Sequence, residues 1–294
     1  LSPGESGFPD QMTVALKKLH DLRYGENPHQ SAAFYREERV GMKAAHTVAA
    51  AVQLGGKELS YNNILDADAA WKAVIDFEDA SVAIIKHTNP CGLASSSDLV
   101  EAYREALAGD PVSAFGGIVA VNRPVNSALA REVSKTFYEI ILAPSYGPEA
   151  IKVLEARKDL RILDMGPLEA LATGYSLDYR RVGGGVLVQT VDEMVEDPRT
   201  WRVVTKRKPT AEEMEGLGFA WKVAKHVKSN AIVLVRRARL VGMGAGQPSR
   251  VDSVHIALKK AGVKAAGSVM SSDAMFPFPD GLEMAAEGGV TAVV

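Results

Sequence analysis

The stretch Ser81-Val82-Ala83-Ile84-Ile85-Lys86-His87-Thr88-Asn89-Pro90 decides the fold class of this chain. It opens with a mostly apolar run of strand length and continues with polar residues that end at a proline. Short apolar runs of this kind are typical of strands that are buried on both faces of an α/β sheet. We therefore predict a buried strand over Ser81–Ile85, with Lys86 and His87 placed where that strand ends.

Similar apolar runs recur along the chain and alternate with segments in which apolar residues have helical spacing. Buried strands are predicted over four more runs: Gly117–Val121, Gly185–Gln189, Ala231–Val235 and Val290–Val294. Helices are predicted over Asp66–Phe77, Asn126–Ile140, Thr210–Val227 and Asp252–Ala261. This alternation favours a layered α/β fold. The three consecutive glycines that start at Gly183 are assigned to close backbone packing.

The chain has 294 residues, 47% of them hydrophobic, and is long enough for one large α/β domain or for two smaller lobes. A polar and basic stretch over 197–209 favours a linker between two lobes, which then span 12–196 and 210–294. The glycines and prolines of the first residues indicate a flexible lead-in over 1–11.

The charge balance argues against nucleic acid and membrane partners. The chain has 34 basic and 36 acidic residues and a net charge of -2, so it has no overall positive field to attract a polyanion. Its apolar runs are far shorter than the roughly 20 residues that a membrane-spanning helix needs. No secretory signal is recognisable in the first residues, and the single Cys91 cannot form an internal disulfide, so we expect a cytoplasmic protein.

The cysteine and the histidines do not have the spacing of a metal site. Zinc sites of the structural and deaminase types use two or more cysteines at short spacing, and this chain has one cysteine. None of the six histidines forms a His-x-x-x-His pair that would place two ligands on one helix face. We therefore predict no metal.

The Lys86-His87 pair is the first candidate for chemistry. Ligands of α/β sheets bind where strands end. A lysine there can stabilise developing negative charge, and a histidine can move a proton near neutral pH while an amine attacks. A solvated lysine beside a hydrogen-bonded structural histidine fits these residues equally well, and the local sequence leaves both interpretations open.

Three more segments have residues suited to a ligand. In the loop that starts at Arg23, the arginine can bind a phosphate with two parallel hydrogen bonds, or it is a surface charge and Tyr24 a packed aromatic. In Gly242–Arg250, glycines allow backbone amides to approach an anion at a helix N-terminus, although a tight turn is the simpler interpretation. In Ser271–Gly281, a flat heteroaromatic ligand can stack on the rings, or the segment is a hydrophobic turn in which Asp280 caps a helix.

Six segments occur in an order that indicates a family resemblance. They are Arg23–Gln30, Lys86–Gly92, Asp110–Gly117, Val227–Ile232, Gly242–Arg250 and Ser272–Gly281. Together they resemble the aminoimidazole-carboxamide ribonucleotide (AICAR) transformylase domain of the bifunctional purine biosynthesis protein, from about Met12 to the last residue. Six long motifs in register are far more specific than any single glycine loop.

The resemblance implies an activity, a fold and an assembly. The activity is formyl transfer from 10-formyl-tetrahydrofolate, a co-substrate, to the 5-amino group of the ribonucleotide, on the route to inosine monophosphate. The fold is a pair of α/β lobes similar to cytidine deaminase but without a zinc site. The assembly is a homodimer with active sites at the interface, and the implied ligands are two small molecules, a nucleotide and a folate.

The resemblance also implies roles for particular residues. Lys86 and His87 match the catalytic pair, in which histidine handles the proton of the attacking amine and lysine helps stabilise the oxyanion on the formyl carbon. Asn230 matches an asparagine that orients the reacting groups. The residues implied on the ribonucleotide side are Arg23, Tyr24, Gly116, Glu139, Asp273 and Met275. Those implied on the folate side are Phe115, Arg250, Pro277, Phe278 and Asp280.

The chain departs from the family pattern in ways that bear on activity. Met275 stands where the family usually has phenylalanine, a change of similar volume that softens one wall of the site. The segment Arg236–Arg239 replaces a glycine-bearing hairpin turn, away from the matched site residues. No cyclohydrolase domain precedes the motifs, so we expect no ring-closing activity from this chain. The family continues past Val294 into an arginine- and histidine-containing tail that helps complete the ribonucleotide site.

Two alternatives stand beside a formyl-transferring enzyme. A chain that lacks the tail can retain affinity for nucleotide or folate and have no turnover. A zinc nucleobase deaminase is suggested only by the implied fold and by Pro90-Cys91, and stoichiometric zinc in the purified protein would be its signature.

Overall fold

The structure of the protein, a computed structural model, describes residues 7–38, 46–168, 177–194 and 196–294. Residues 1–6 of the expected lead-in, together with 39–45, 169–176 and 195 of the expected first lobe, lie outside the described residues. Within the described ranges the fold is mixed α/β, as the alternation of strands and helices predicts. No helix in these ranges is long and apolar enough to cross a membrane.

The largest sheet contains six of the described strands. Two earlier strands, β1 (Leu16–Leu22) and β2 (Ala32–Glu37), form a separate antiparallel hairpin. The strands of the large sheet are β3 (Val52–Gly55), β4 (Ser81–Lys86), β5 (Asn89–Ser95), β6 (Gly117–Val121), β7 (Tyr138–Ala143) and β8 (Arg161–Asp164). Their order across the sheet is β3-β8-β7-β6-β4-β5. Strands β6, β7 and β8 are parallel, whereas β4 is antiparallel to both β5 and β6.

Eight α-helices lie in the described ranges. They are α1 (Tyr61–Ile75), α2 (Leu99–Gly109), α3 (Pro111–Ala114), α4 (Ser127–Val133), α5 (Pro148–Glu155), α6 (Ala211–Lys225), α7 (Arg250–Ala261) and α8 (Asp280–Glu287). Helix α1 begins earlier than the predicted Asp66 because Ser60 and Asn63 form a capping box. In this box, Ser60 Oγ accepts the Asn63 N–H at 3.2 Å, and Asn63 Oδ1 accepts the Ser60 N–H at 3.1 Å.

Strand β4 is buried on both faces, because alternate side chains enter two different hydrophobic cores. Val82 and Ile84 pack in the core that contains α2, whereas Ala83 and Ile85 pack in the core that contains α1. All four side chains are fully buried. The predicted buried strand is therefore present, and it ends with the half-buried Lys86.

The end of β4 lies at the same edge of the sheet as the beginnings of β6, β7 and β8. This follows from strand direction: Ile85 pairs with Ile118 of the antiparallel β6, and Ile140 of β7 pairs with Arg161 of the parallel β8. This edge, the Lys86 edge, is thus formed by the carboxyl end of β4 and the amino ends of β6, β7 and β8. Ligands of parallel sheets usually bind at the carboxyl ends of the strands. At this edge only β4 presents its carboxyl end, because it runs antiparallel to β6.

A second sheet follows in the C-terminal part of the chain. The hairpin β9 (Leu177–Val182) and β10 (Gly185–Thr190) precedes it. The sheet consists of β11 (Ile232–Val235), β12 (Leu240–Gly244), β13 (Val269–Ser272) and β14 (Ala292–Val293), in the order β12-β11-β13-β14. In the turn from β11 to β12, Arg237 has a φ of 56°, a conformation that favours glycine.

The two sheets meet at their edges and share a hydrophobic core. The Ser95 N–H at the end of β5 donates to the Ala238 carbonyl, just before β12, at 2.9 Å. The core that contains α1 also contains α6, and the rings of Phe77 and Phe219 have centroids 4.8 Å apart. The two expected lobes are therefore packed against each other through buried side chains.

The helix predicted over Asn126–Ile140 is wrong in its second half. Helix α4 ends at Val133, where the Ser134 N–H and hydroxyl both donate to the Ala130 carbonyl, and strand β7 starts at Tyr138. The apolar residues of β7 are buried on both faces of the sheet. A short apolar run of this kind has no periodicity that distinguishes a strand from a helix.

Three smaller predictions are also corrected. Strand β10 occupies the predicted run but is largely exposed, with Leu187 61% exposed, because it pairs in a two-stranded hairpin. Gly183 and Gly184 form the turn of that hairpin rather than close packing, and Gly185 begins β10. Gly184 has a φ of 75°, and no atom lies within 4 Å of a Cβ built at residue 183 or 184. The last strand is limited to β14 and is partly exposed, because it lies at an edge of the second sheet.

We expect Gly92→Ala to destabilise the protein. A Cβ at residue 92 in β5 would lie 2.0 Å from the carbonyl oxygen of Ala106 in α2. Strand and helix would have to separate, so the free energy of unfolding should fall by roughly 2 to 3 kcal/mol, as measured by urea unfolding.

Gly147→Ala is the control for this prediction. Residue 147 has a φ of -66°, and the atom nearest to an added Cβ is 3.6 Å away. This change should alter the free energy of unfolding by less than about 1 kcal/mol. Equal losses in the two variants would contradict the close contact between β5 and α2.

Candidate active site

Lys86 lies at the edge of the large sheet with its ammonium group bound by two backbone carbonyls. Its Nζ donates to the carbonyl oxygens of Phe115 at 3.1 Å and Gly116 at 2.9 Å, in the loop before β6. An ammonium group has three N–H donors, and no third partner is found among the described residues. One donor is therefore available to a ligand that binds at this edge.

Gly116 has a backbone conformation that favours glycine. Its φ is 67°, and its N–H donates to the Phe137 carbonyl at 2.8 Å. A Cβ at this position would lie 3.2 Å from Lys86 Nζ and 3.5 Å from the Phe137 ring. A side chain at residue 116 would therefore displace either the lysine or the ring.

Two exposed phenylalanines lie beside the lysine. The ring centroids of Phe115 and Phe137 are 5.3 Å apart, and the residues are 63% and 44% exposed. Such a pair offers a surface on which a flat ligand can stack. Sequence analysis named Phe115 and missed Phe137, because the helix predicted through that region gave no reason to place residue 137 at a sheet edge.

His87 and Thr88 form a two-residue turn between β4 and β5, and both have left-handed backbone conformations. Their φ angles are 50° and 61°. Hairpin turns of this kind usually contain Asn-Gly or Asp-Gly, because other residues are strained there. The His87 side chain is exposed, and its imidazole has no hydrogen-bond partner within the described ranges. This geometry disagrees with the alternative of a hydrogen-bonded structural histidine.

Glu139 and Arg161 form an ion pair at the same edge. Arg161, whose side chain is 10% exposed, donates through Nη1 to Glu139 Oε2 at 2.7 Å and through Nε to the Glu58 carbonyl at 2.8 Å. These acceptors compensate for the burial of the cation. Glu139 Oε1 has no partner in the described part of the chain, so it can accept a hydrogen bond from a ligand. Glu139 lies on strand β7 rather than on the predicted helix.

Asn230, Arg250 and Asp273 form a second polar group, at the end of the second sheet. Arg250 Nη2 donates to Asn230 Oδ1 at 2.8 Å. Its Nη1 donates to Ser272 Oγ at 2.8 Å and to an Asp273 carboxylate oxygen. Asn230 Nδ2 in turn donates to the Gln247 carbonyl at 2.8 Å. Asn230 and Arg250 are thus each oriented by at least two hydrogen bonds.

The environment of Asp273 lowers its pKa. Burial by itself would raise the pKa, but hydrogen bonds from Ser229, Arg250 and the Ala231 N–H outweigh that effect. The Ala231 N–H lies 3.0 Å from Asp273 Oδ1. Asp273 is therefore a carboxylate at neutral pH, and its charge balances that of Arg250.

Asn89 connects the His87–Thr88 turn with the segment that contains Asn230. It follows the His87–Thr88 turn, its Oδ1 accepts the Lys228 N–H at 3.0 Å, and its Nδ2 donates to the His87 carbonyl at 3.0 Å. Lys228 is two residues before Asn230, so this contact connects the two segments that contain His87 and Asn230. Sequence analysis missed this role of Asn89, because the partner is 139 positions away along the chain.

Comparison with known proteins assigns the chain to a family. The family model described as AICARFT/IMPCHase bienzyme matches residues 2–260. The chain is 53% identical over 293 residues to the bifunctional purine biosynthesis protein PurH of Myxococcus xanthus (strain DK1622), an alignment that covers 98% of this chain and 56% of that protein. The chain belongs to the AICARFT/IMPCHase bienzyme family.

A second relative agrees with this assignment. The chain is 52% identical over 287 residues to the bifunctional purine biosynthesis protein PurH of Sorangium cellulosum (strain So ce56). This alignment covers 97% of this chain and 55% of that protein. The chain thus spans just over half the length of both relatives. The AICAR transformylase resemblance predicted from six sequence segments is confirmed by these matches.

Two residues that the AICARFT/IMPCHase resemblance implies for the ribonucleotide lie on a separate two-stranded hairpin. Arg23 and Tyr24 are in the loop between β1 and β2, where the guanidinium lies 5.8 Å from the centroid of the tyrosine ring. Within the described ranges, no hydrogen bond or ion pair joins either residue to Lys86 or to Arg250.

Four more implied residues lie in the exposed segment after β13: Met275, Pro277, Phe278 and Asp280. The methionine is 82% exposed and the phenylalanine 69%. Asp280 is the first residue of α8, and its Oδ1 accepts the N–H of the adjacent Gly281 at 2.7 Å. The N-cap position is Pro279 and no side-chain hydrogen bond caps the helix, so the interpretation of Asp280 as a cap is wrong. Phe276 connects the segment to Arg250, whose guanidinium lies 5.9 Å from the ring centroid.

The Lys86 edge is open to solvent in the single chain. Two clefts in the described structure lie elsewhere: one of about 270 Å³ beside Arg236 and Arg237, and one of about 440 Å³ beside Asp98 and Asn126. Neither is lined by a residue that the AICARFT/IMPCHase resemblance implies for the site. Across residues 7–38, 46–168, 177–194 and 196–294, no group of three or more His, Cys, Asp or Glu side chains is placed to bind a metal ion.

We expect Asp273→Asn to lower stability at neutral pH and to have less effect in acid. The folded-state pKa of Asp273 is below the ordinary value of 3.8. Its stabilising effect is therefore present above that value and is lost as the pH falls through the folded-state pKa. Urea unfolding of both proteins at about pH 7 and about pH 3 measures the effect. A difference in unfolding free energy that is constant or larger in acid would contradict the assignment.

Proposed function

We propose that this chain transfers a formyl group from 10-formyl-tetrahydrofolate to the 5-amino group of AICAR. The observation that supports this most strongly is the end of β4, where Lys86, which has an available donor, is followed directly by the exposed His87. Family membership supports the same activity, since the chain aligns over 98% of its length with a purine biosynthesis protein.

The reaction needs a proton acceptor and a stabiliser of negative charge, and His87 and Lys86 have the right chemistry. As the amine nitrogen attacks the formyl carbon, His87 takes the proton that the amine loses, and Lys86 donates a hydrogen bond to the oxygen that becomes negative. When the bond from that carbon to the folate nitrogen breaks, His87 gives the proton to the departing nitrogen. One C–N bond forms and one breaks, and no covalent enzyme intermediate is needed.

Glu139 and Arg23 are the main ribonucleotide ligands in this proposal. Glu139 Oε1 can accept the carboxamide N–H, because Oε2 is already bound by Arg161 at 2.7 Å. Arg23 is exposed and stacks on Tyr24, which leaves its N–H donors available for a phosphate. The remaining residues on this side are Tyr24, Gly116, Asp273 and Met275.

In this proposal the folate lies between two groups: the rings of Phe115 and Phe137, and the polar side chains of Asn230, Arg250 and Asp273. Phe115 and Phe278 are 63% and 69% exposed and can stack on a flat pterin. Arg250, whose charge Asp273 balances, holds Asn230 and Ser272 in place beside the folate, and Pro277 and Asp280 continue the same wall. Asn230, which Arg250 and a backbone carbonyl hold in place, orients the amine and the formyl group.

We also propose the finer architecture that the family resemblance implies. Two lobes similar to cytidine deaminase span 12–196 and 210–294, with a linker over 197–209 and a lead-in over 1–11. Two chains form a cytoplasmic homodimer that completes each site at the interface and uses no metal, nucleic acid or membrane. The open Lys86 edge supports the dimer, as do exposed apolar residues on the hairpins, such as Leu16 at 57% and Leu187 at 61%.

A second function, binding of the nucleotide or folate without turnover, also has an observation in its favour. Arg23 and Tyr24 lie between the strands of a separate hairpin, and no hydrogen bond or ion pair described for them reaches Lys86. Under this alternative the residues retain affinity but are not assembled around one reacting pair.

An assay of formyl transfer by the purified chain tests the two functions. Release of tetrahydrofolate is followed spectrophotometrically with both substrates present, and AICAR binding is measured by calorimetry. We expect turnover that requires both substrates. Saturable binding without product would favour the second function, and a lack of both binding and turnover would overturn the proposal.

We expect His87→Asn to reduce kcat by about 100- to 10,000-fold, because the general base is lost. Asparagine tolerates the left-handed backbone better than most residues, so the turn is retained and the Kd for AICAR should stay within about threefold. His255→Asn, a change of an exposed histidine on α7, is the matched control and should keep wild-type turnover. Near-normal turnover in His87→Asn would remove His87 from the proton-transfer role.

We expect Arg23→Ala to weaken AICAR binding by about 10- to 100-fold, the usual loss when a charged hydrogen-bond donor is removed. Calorimetry of AICAR binding measures the change, and kcat should fall much less than affinity. Arg131→Ala, at an exposed position on α4, is the control. An unchanged Kd in Arg23→Ala would contradict the phosphate assignment.

A further inference from the structure

The His87–Thr88 turn needs support from outside the hairpin. Both residues have positive φ angles, 50° and 61°, and Thr88 is β-branched. A β-branched residue is an outlier in this conformation, which persists where surrounding contacts hold it. The orientation of the His87 side chain therefore depends on whatever fixes the peptide unit between these two residues.

Both polar atoms of that peptide unit are bound. Asp66 Oδ1, on helix α1, accepts the Thr88 N–H at 2.7 Å. The His87 carbonyl accepts the Thr88 hydroxyl at 2.7 Å and Asn89 Nδ2 at 3.0 Å. Hydrogen bonds to a carboxylate are stronger than those between neutral groups. Asp66 is thus the partner that ties the turn to another element of the fold.

The helix backbone at Asp66 is held in place by its neighbours. On the helix turn that follows it, Ala67, Ala70 and Trp71 are buried, and Trp71 Nε1 donates to the His46 carbonyl at 2.7 Å. Asp66 itself is partly exposed, and no lysine or arginine pairs with it in the described ranges. The hydrogen bond to Thr88 is therefore not shared with a competing cation.

We propose that Asp66 is a positioning residue for His87. By accepting the Thr88 N–H, it holds the left-handed turn that sets the direction of the His87 side chain. Its effect on catalysis rests on the proposed formyl transfer, whereas its effect on the turn does not. Asp66 touches neither the ligands nor the reacting atoms, so its loss should lower kcat through the geometry of His87 and leave substrate binding nearly intact.

Three variants test this role. Asp66→Ala removes the acceptor and should lower kcat by about 10- to 100-fold, with the KM for AICAR within about threefold. Asp66→Asn retains an acceptor oxygen and should restore most of the turnover. Asp68→Ala is the matched control. Asp68 lies two residues further along α1, and its Oδ2 is 2.7 Å from Lys72 Nζ, so this variant should keep the kcat of the wild type. Normal kcat in Asp66→Ala, or equal losses in both Asp66 variants, would overturn the proposal.

A double-variant cycle separates positioning from a general effect on the helix. Glycine adopts a positive φ without support, so Thr88→Gly should make the turn less dependent on Asp66. In the Thr88→Gly background, Asp66→Ala should lower kcat by a much smaller factor than in the wild type. The same factor in both backgrounds would mean that Asp66 acts independently of the turn.

Measurements on the unliganded chain distinguish a failure of this inference from a failure of the proposed function. Hydrogen exchange of the Thr88 amide and the NMR shifts of the His87 imidazole are compared in the wild type and the three variants. We expect faster exchange and shifted imidazole signals in Asp66→Ala alone. If the wild type shows no formyl transfer but this pattern is seen, the proposed function fails and the positioning role stands. Equal Thr88 exchange in all four proteins would overturn the positioning role even in an active enzyme.

Discussion

The burial of β4 on both faces is the constraint on which the candidate site depends. Val82 and Ile84 occupy one core while Ala83 and Ile85 occupy the other. A shift of the strand by one residue would exchange every side chain between the two cores, so the register is strongly determined. Lys86 is the first residue after the buried run, and this register places its ammonium group against the two carbonyls of the loop before β6.

Charged groups at this edge and at the end of the second sheet are bound by protein partners. Arg161 is paired with Glu139, and Arg250 with Asp273. Such fixed dipoles and charges stabilise a developing negative charge without reorganisation during the reaction. The His87 turn differs, because its left-handed backbone depends on one acceptor from another element, Asp66 of α1. The candidate site therefore combines ion pairs with fixed partners and one turn, His87–Thr88, whose conformation is held by a residue of another element.

Packing between the two sheets explains how distant sequence segments meet. The shared core around Phe77 and Phe219 fixes α1 and α6 against each other. The bond from the Lys228 N–H to Asn89 then connects the His87 turn to the segment of Asn230. Most of the segments that indicated the family lie in or beside these loops and strand ends, whereas the Arg23 loop belongs to a separate hairpin.

The sequence by itself determined the strands at Ser81–Ile85 and Gly117–Val121, the helices α6 and α7, and the family, because burial patterns, caps and long motifs are local properties of the chain. It could not identify β7 within the predicted helix, since an apolar run suits either structure until its neighbours are known. The partners Arg161, Asn89 and Asp66 were decided only by the tertiary structure. Their roles arise from contacts between residues far apart along the chain, and such contacts leave no local pattern in the sequence.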